Sequence, residues 1–245
     1  MSRQRLRKRR CPIDARISAE LLNSLEVTGR AVTHVQEVGD PKCVLHARAA
    51  EALIAMRNEA RTAGIELNVV SAFRDFNRQA TIWSAKFHGR RPLLDAAGVE
   101  IKHADLYESE LIDAILTWSA LPGASRHHWG SEIDVIDAAA LPPGQPPRLL
   151  TADFAAGGCF ERLGGWLDSN MGRFGFFRPY ATYRGGVQPE PWHLSYAAVS
   201  VPALDVLSLD VLREAIEAAD MPGRQAVLSR LPELYQRYVL TVDGA

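Results

Sequence analysis

The chain of 245 residues contains no uninterrupted apolar run long enough to span a bilayer, which argues against a transmembrane helix. Its basic opening is not followed by the apolar stretch of a secretory signal either, because Asp14, Arg16 and Glu20 break up the segment from Cys11 to Leu25. The default location on these grounds is the cytosol. Cysteine is scarce: Cys11, Cys43 and Cys159 are odd in number and far apart. That spacing indicates neither a disulfide framework nor a cysteine-built metal knuckle, and leaves buried or idle thiols. Net charge is also small, at −1, but it is unevenly spread. Six of the 28 basic residues are Arg3, Arg5, Arg7, Lys8, Arg9 and Arg10, so the other 22 face 29 acidic residues and leave −7 for the body. A mildly acidic body speaks against a nucleic-acid-binding surface there. The basic arm can meet an anionic partner such as RNA or lipid headgroups, or simply be solvated.

What is present suits one sizeable domain. At 47% apolar content the length supports a single core with end extensions rather than two domains. Residues 1–44 lack periodicity and read as the basic arm followed by an irregular lead-in with room for one short helix. A helix is expected from about His46 to Ala63, where Ala50, Leu53, Ile54 and Ala60 fall at helical spacing and Gly64 stands ready to end it. Ile65, Leu67 and Val69 then alternate as a strand with one buried face, which delivers Ser71 to Arg74 at its end. Asp75 can cap the following helix, whose inner face uses Phe76, Ile82, Trp83 and Phe87 and which carries Gln79 one turn in. Residues 88–104 read as a surface excursion. Asp105 with Glu108 resembles a capping box for a helix through Trp118. Ile133 and Val135 mark a core strand, Leu141 to Pro147 a loop, and Asp153 to Asn170 a helix with a Gly-rich middle. From Ser208 the tail reads as two short helices separated by Met221-Pro-Gly223.

Three distant stretches carry chemistry. They are Ser71-Ala-Phe-Arg74 with Gln79, Ser125-Arg-His127-His-Trp-Gly130-Ser-Glu-Ile-Asp134, and Glu190-Pro-Trp-His193. Together they offer imidazoles and carboxylates for a metal and for proton transfer, and a guanidinium for an anionic substrate end. His127 and Asp134 are seven apart and would face opposite ways on one unbroken strand. If both bind one ion the chain bends between them, and Gly130 is the residue able to take the required backbone. His127 then lies on a loop or bent entry segment and Asp134 on the strand proper. Glu132 and Asp137 compete locally for the carboxylate role, and His128 is a second imidazole directly beside His127. Pro191 forces Glu190 into an extended conformation, so Glu190 and His193 divide the work, one beside a water and the other on the metal. His34, His46, His88 and His103 show no spacing that recruits them. Trp83, Trp118 and Trp166 read as core, whereas Trp129 and Trp192 flank the motifs and could wall a groove.

These residues resemble the VanX/VanY-type D-alanyl-D-alanine carboxypeptidases and dipeptidases, the zinc metallopeptidases that share a fold with the Hedgehog signalling domain. The likeness covers roughly residues 45–200 and rests on Ser71, Arg74 and Gln79, on Ser125, His127, Gly130 and Asp134, and on Glu190 to His193 with Tyr196 behind. Phe174-Gly-Phe176 and Tyr180 resemble the VanY-like branch. The resemblance implies an α+β fold, with a small central antiparallel sheet, helices mainly on one side and one Zn2+ ion in a groove. Residues 45–200 would be the peptidase domain and 201–245 a helical extension packed on it. It further implies that His127, Asp134 and His193 ligate the zinc and that Glu190 is the catalytic base. Arg74 and Ser125, with Ser71 and Gln79 at their family positions, would bind the substrate's terminal carboxylate. The implied substrate is a peptidoglycan-derived peptide or a D,D-dipeptide. An L,D-carboxypeptidase, a cross-bridge endopeptidase and a non-catalytic zinc-containing binding module are the alternatives.

Overall fold

The computed structural model describes residues 21–39, 42–141, 144 and 146–244; the basic arm and Cys11 lie outside the described residues. Its centre is a four-stranded antiparallel sheet in the order β3-β6-β8-β7, formed by β3 (Leu67–Ser71), β6 (Glu132–Asp137), β7 (Phe176–Phe177) and β8 (His193–Tyr196). Strand alternation divides the residues of β6 and β8 between two faces. Ile133, Val135 and Leu194 turn to an apolar core shared with α2 (Ala47–Thr62) and α6 (Glu161–Asn170) through Leu53, Met56, Leu163 and Leu167. Glu132, Asp134, His193 and Ser195 occupy the other face, in the register Glu132 opposite Ser195 and Asp134 opposite His193. The sheet is thus amphipathic in an unusual sense: its second face carries charge and is nevertheless buried.

The lead-in holds more structure than its composition suggests. After α1 (Ser24–Val27), capped by the Asn23 side chain, β1 (Gln36–Val38) and β2 (Cys43–Leu45) pair as an antiparallel hairpin. Helix α2 begins one residue after the expected position, with His46 as its N-cap, and stops before Gly64 at φ 70°. Asp75 caps α3 (Phe76–Phe87) by accepting the Arg78 N–H at 2.6 Å, and Gln79, Ile82 and Trp83 are its buried residues. Within 88–104, β4 (Leu93–Leu94) and β5 (Glu100–Ile101) form a short hairpin.

Two helix expectations shift. Asp105 ends a 3-10 turn, and α4 (Glu108–Leu116) starts two residues further on, where Glu110 accepts the Tyr107 N–H at 2.9 Å. The single helix expected from Asp153 to Asn170 is instead α5 (Thr151–Phe154) and α6, parted by a turn. Gly157 there has φ 80°, and a Cβ on Gly158 would stand 2.4 Å from the Ala152 and Asp153 carbonyl oxygens, so the chain turns where only glycine fits. A second core gathers α3, α4, α7 (Ala197–Val206), α8 (Leu209–Glu217) and α9 (Arg224–Tyr235) around Trp83, Ile112, Leu116, Leu212 and Leu231. Among the described residues no helix is long and apolar enough to cross a membrane.

Candidate metal centre and substrate cavity

Gly130 decides where the first imidazole goes. Residues Arg126–Trp129 form a 3-10 turn that Gly130 closes in the left-handed region, at φ 66° and ψ 10°, before β6 begins. His127 therefore sits on the bent entry and Asp134 on the strand, the arrangement the seven-residue spacing requires if both are to bind one ion. At the other end, Glu190, Pro191, Trp192 and His193 make a β-turn in which the His193 N–H donates to the Glu190 carbonyl at 3.0 Å. Proline at the second position suits this turn. The turn folds Glu190 back beside the imidazole that follows it.

One ligand atom each from His127, Asp134 and His193 lies within 4.8 Å of the other two, and all three residues are buried. His127 Nε2 stands 3.4 Å from Asp134 Oδ2 and His193 Nδ1 stands 3.1 Å from Asp134 Oδ1. Donor separations of about 3.3 Å are those expected of a tetrahedral ion with bonds of about 2.0–2.1 Å. Both imidazoles have their orientation set from behind. The other nitrogen of His127, Nδ1, is 2.7 Å from the Ala72 carbonyl, which can only accept, so Nδ1 carries the proton and Nε2 is free to bind. His193 Nε2 lies 2.8 Å from Glu132 Oε2, which leaves Nδ1 toward Asp134. The residues fit a zinc ion.

The neighbouring candidates have other duties. His128 uses Nδ1 on the Arg74 carbonyl at 2.5 Å and accepts the Gly123 N–H on Nε2 at 3.2 Å, so neither nitrogen is available. Asp137 accepts the N–H groups of Glu66 and Ala139 and ends β6. His34 donates to the His128 carbonyl at 2.8 Å and is structural.

Electrostatics sort the titratable groups. Burial pushes His127 down to about 3 against the attraction of Asp134. Burial works to lower His193, but the hydrogen bonds its ring donates to Asp134 and Glu132 outweigh it and lift it to about 10. Glu190 lies 3.4 Å from His193 Nδ1 and is raised to about 7, chiefly by burial and then by Asp134. It is the carboxylate most ready to exchange a proton near neutrality. Burial lowers Arg74 while Asp134 and Glu190 support its charge.

Arg74 is braced rather than loose. Its Nη1 donates to Gln79 Oε1 at 2.7 Å and its Nη2 to Ser71 Oγ at 3.2 Å, while Gln79 Nε2 donates to the Ala120 carbonyl at 2.7 Å. Gln79 is fully buried, and neither it nor Ser71 lines the cavity; both stand against the guanidinium. The cavity, about 240 Å³, brings together Arg74, Ser125, His127, Asp134, Glu190 and His193. Its apolar wall includes Trp118, stacked on Trp192 at 6.2 Å, and Tyr238 from beyond α9. Two aromatic expectations are corrected here. Trp118 follows the end of α4 and faces the cavity, whereas Trp129 is fully buried against Arg126 and donates to the Val27 carbonyl. No local pattern marks Tyr238, which reaches the site only through the packing of the last helices.

The model of the D-alanyl-D-alanine carboxypeptidase (VanY) family matches residues 42–199. An uncharacterized protein of Haemophilus influenzae is 32% identical over 126 residues, which are 51% of this chain and 96% of that protein. A D-alanyl-D-alanine carboxypeptidase of Enterococcus faecalis is 27% identical over 57% of this chain, which spans 43% of that protein. Among solved structures, VanYB in complex with D-alanine-D-alanine is 24% identical with a TM-score of 0.48, covering 76% of this chain and 89% of that one. A VanY D,D-pentapeptidase in complex with Zn(II) is 23% identical with a TM-score of 0.47, covering 76% and 92%.

Proposed function

Because the chain belongs to the D-alanyl-D-alanine carboxypeptidase (VanY) family, we propose that it is a zinc peptidase that removes the terminal D-amino acid from peptidoglycan-type peptides. The observation that carries this is the convergence of His127, Asp134 and His193 on one point, with Glu190 and Arg74 on the same cavity. The three would hold the ion, which when bound supplies Lewis acidity to polarise the scissile carbonyl and acidify a water.

The remaining work falls to the protein. Arg74, its fork fixed by Gln79 and Ser71, binds the substrate's free carboxylate by two N–H donors, a contact that a point charge cannot reproduce. Ser125 lines the same cavity. Such a clamp selects a chain terminus, which favours a carboxypeptidase over a cross-bridge endopeptidase. Trp118 and Trp192 hold the apolar part of the substrate and exclude water. Glu190 takes a proton from the attacking water and passes it to the departing amine, an exchange that a carboxyl poised near neutrality performs in both directions.

The test is release of D-alanine from a D,D-dipeptide, a pentapeptide and a tetrapeptide, with and without chelator. Glu190→Ala should retain the metal and lose the activity. Full activity in that variant overturns the assigned mechanism. Cleavage of the tetrapeptide alone would make the protein an L,D-carboxypeptidase.

A further inference from the structure

A fully buried carboxylate that the proposed reaction does not consume stands directly behind one ligand. Strand alternation puts Glu132 on the same face as Asp134, and the register sets it opposite Ser195, diagonally beside His193. Glu132 is 0% exposed. Its Oε2 lies 2.8 Å from His193 Nε2, and its Oε1 accepts the Ser195 hydroxyl at 2.8 Å and the Ser131 hydroxyl at 3.0 Å. Arg126 Nη2 is 3.5 Å away and also donates to Ser195 Oγ at 2.7 Å, while its guanidinium lies over Trp129 at 4.6 Å.

Each oxygen of Glu132 therefore has a fixed direction, and one of them points at an imidazole. An ionised carboxylate in a sheet interior is costly to hold unless its partners are well placed. A charge balance with Arg126 alone would not need Oε2 on the histidine. The two zinc-side imidazoles also differ: His127 leans on a neutral backbone carbonyl, His193 on a charged acceptor. A carboxylate behind a ligating histidine fixes its tautomer and ring orientation and strengthens it as a donor.

We propose that Glu132 is the positioning residue of the metal centre, holding His193 with Nε2–H on its carboxylate so that Nδ1 faces Asp134 and the ion. Arg126, Ser131 and Ser195 hold Glu132 in turn. The proposal rests on the zinc-peptidase reading above and adds to it a specific source of the site's affinity.

The experiment compares wild type, Glu132→Gln and Glu132→Ala, stripped of metal and titrated with Zn(II) against a competing chromogenic chelator. Visible spectra of the Co(II)-loaded forms and thermal midpoints of the metal-free forms are recorded alongside. Glu132→Ala should bind zinc about 10- to 100-fold more weakly. Glu132→Gln, which keeps the shape and an acceptor oxygen but no charge, should lose less and fold normally. Both should alter the Co(II) spectrum, because the ligand nitrogen is less constrained. If Glu132→Ala does not fold, Glu132→Gln decides alone: wild-type affinity together with an unchanged Co(II) spectrum overturns the proposal and leaves Glu132 as a partner of Arg126 only. A wild-type chain that takes up no zinc overturns the functional reading as well, so the two failures are told apart by the wild-type titration.

Discussion

His127 and His128 are adjacent in the chain, and their hydrogen bonds assign them different work. His128 spends both nitrogens on the Arg74 carbonyl and the Gly123 N–H, whereas His127 spends one on Ala72 and keeps Nε2. The likeness to the family motif, with its fixed distances to Gly130 and Asp134, favours His127, but the physical reason becomes visible only when each nitrogen's partner is known. Arg74 shows the same division. Its place beside Ser71 and Gln79 was legible, whereas the bracing of the guanidinium by those two side chains was not. Arg74→Lys keeps the charge and loses the fork. Losing one charged hydrogen bond of about 1.5–3 kcal/mol should lower kcat/KM roughly 10- to 100-fold. Steady-state kinetics on a D,D-peptide check this, and an unchanged value would remove Arg74 from carboxylate recognition. His34 supports a separate prediction. Burial sets its pKa below the usual 6.5, so the folded protein prefers the neutral ring. Its contribution to stability is complete above 6.5 and declines as pH falls below that value, since the unfolded chain then binds the proton more readily. Urea unfolding between pH 7.5 and 5 should show stability decreasing with acid, with a shallower slope in His34→Gln.

The 3-10 turn and β6 form one device whose hinge is Gly130. At φ 66° any L-residue with a side chain is strained, and a Cβ there would meet Val35 Cγ1 at 2.4 Å and the His46 backbone nitrogen at 2.8 Å. Gly130→Ala should destabilise the fold by more than the roughly 1–2 kcal/mol of a left-handed alanine, because Val35 or the α2 entry must also move. Zinc affinity should fall with it, since the turn carries His127. Denaturant unfolding and metal titration of the same variant test both effects, and wild-type values in both would show the bend to be tolerant. Other elements were legible to different degrees. Helix α2 and the cap at Asp75 were plain from composition and one residue type, because local propensity and tertiary packing agree there. The α4 start moved by two residues, since Glu110 and Glu108 are equally good partners on paper and Asp105 is taken up in the 3-10 turn that precedes the helix. The break between α5 and α6 depends on a close approach of Gly158 to a preceding carbonyl, which no periodicity reports.

Across the whole molecule the last helices pack into the second core, and Tyr238 is carried to the rim of the cavity that holds Arg74 and Glu190. This part of the chain lies beyond the residues matched by the family model, which end at 199. Removing that wall should alter substrate choice more than chemistry. Tyr238→Ala is expected to change the ratio of kcat/KM for a pentapeptide over a dipeptide by roughly 10-fold or more, as one apolar contact is worth about 1–3 kcal/mol, while metal content stays as in wild type. An unchanged ratio would show that Tyr238 closes the cavity without reading the substrate. The sequence by itself offered the imidazoles and carboxylates and, if His127 and Asp134 share an ion, required a bend between them, because spacing against the period of a strand constrains which way side chains point; the α+β class came with the likeness to the VanX/VanY family. Only the tertiary structure placed Glu132 against His193, occupied both nitrogens of His128, and brought Trp118 and Tyr238 to the cavity wall. Those outcomes depend on which groups meet across strands and cores, and segments far apart in the chain leave no local period to announce their meeting.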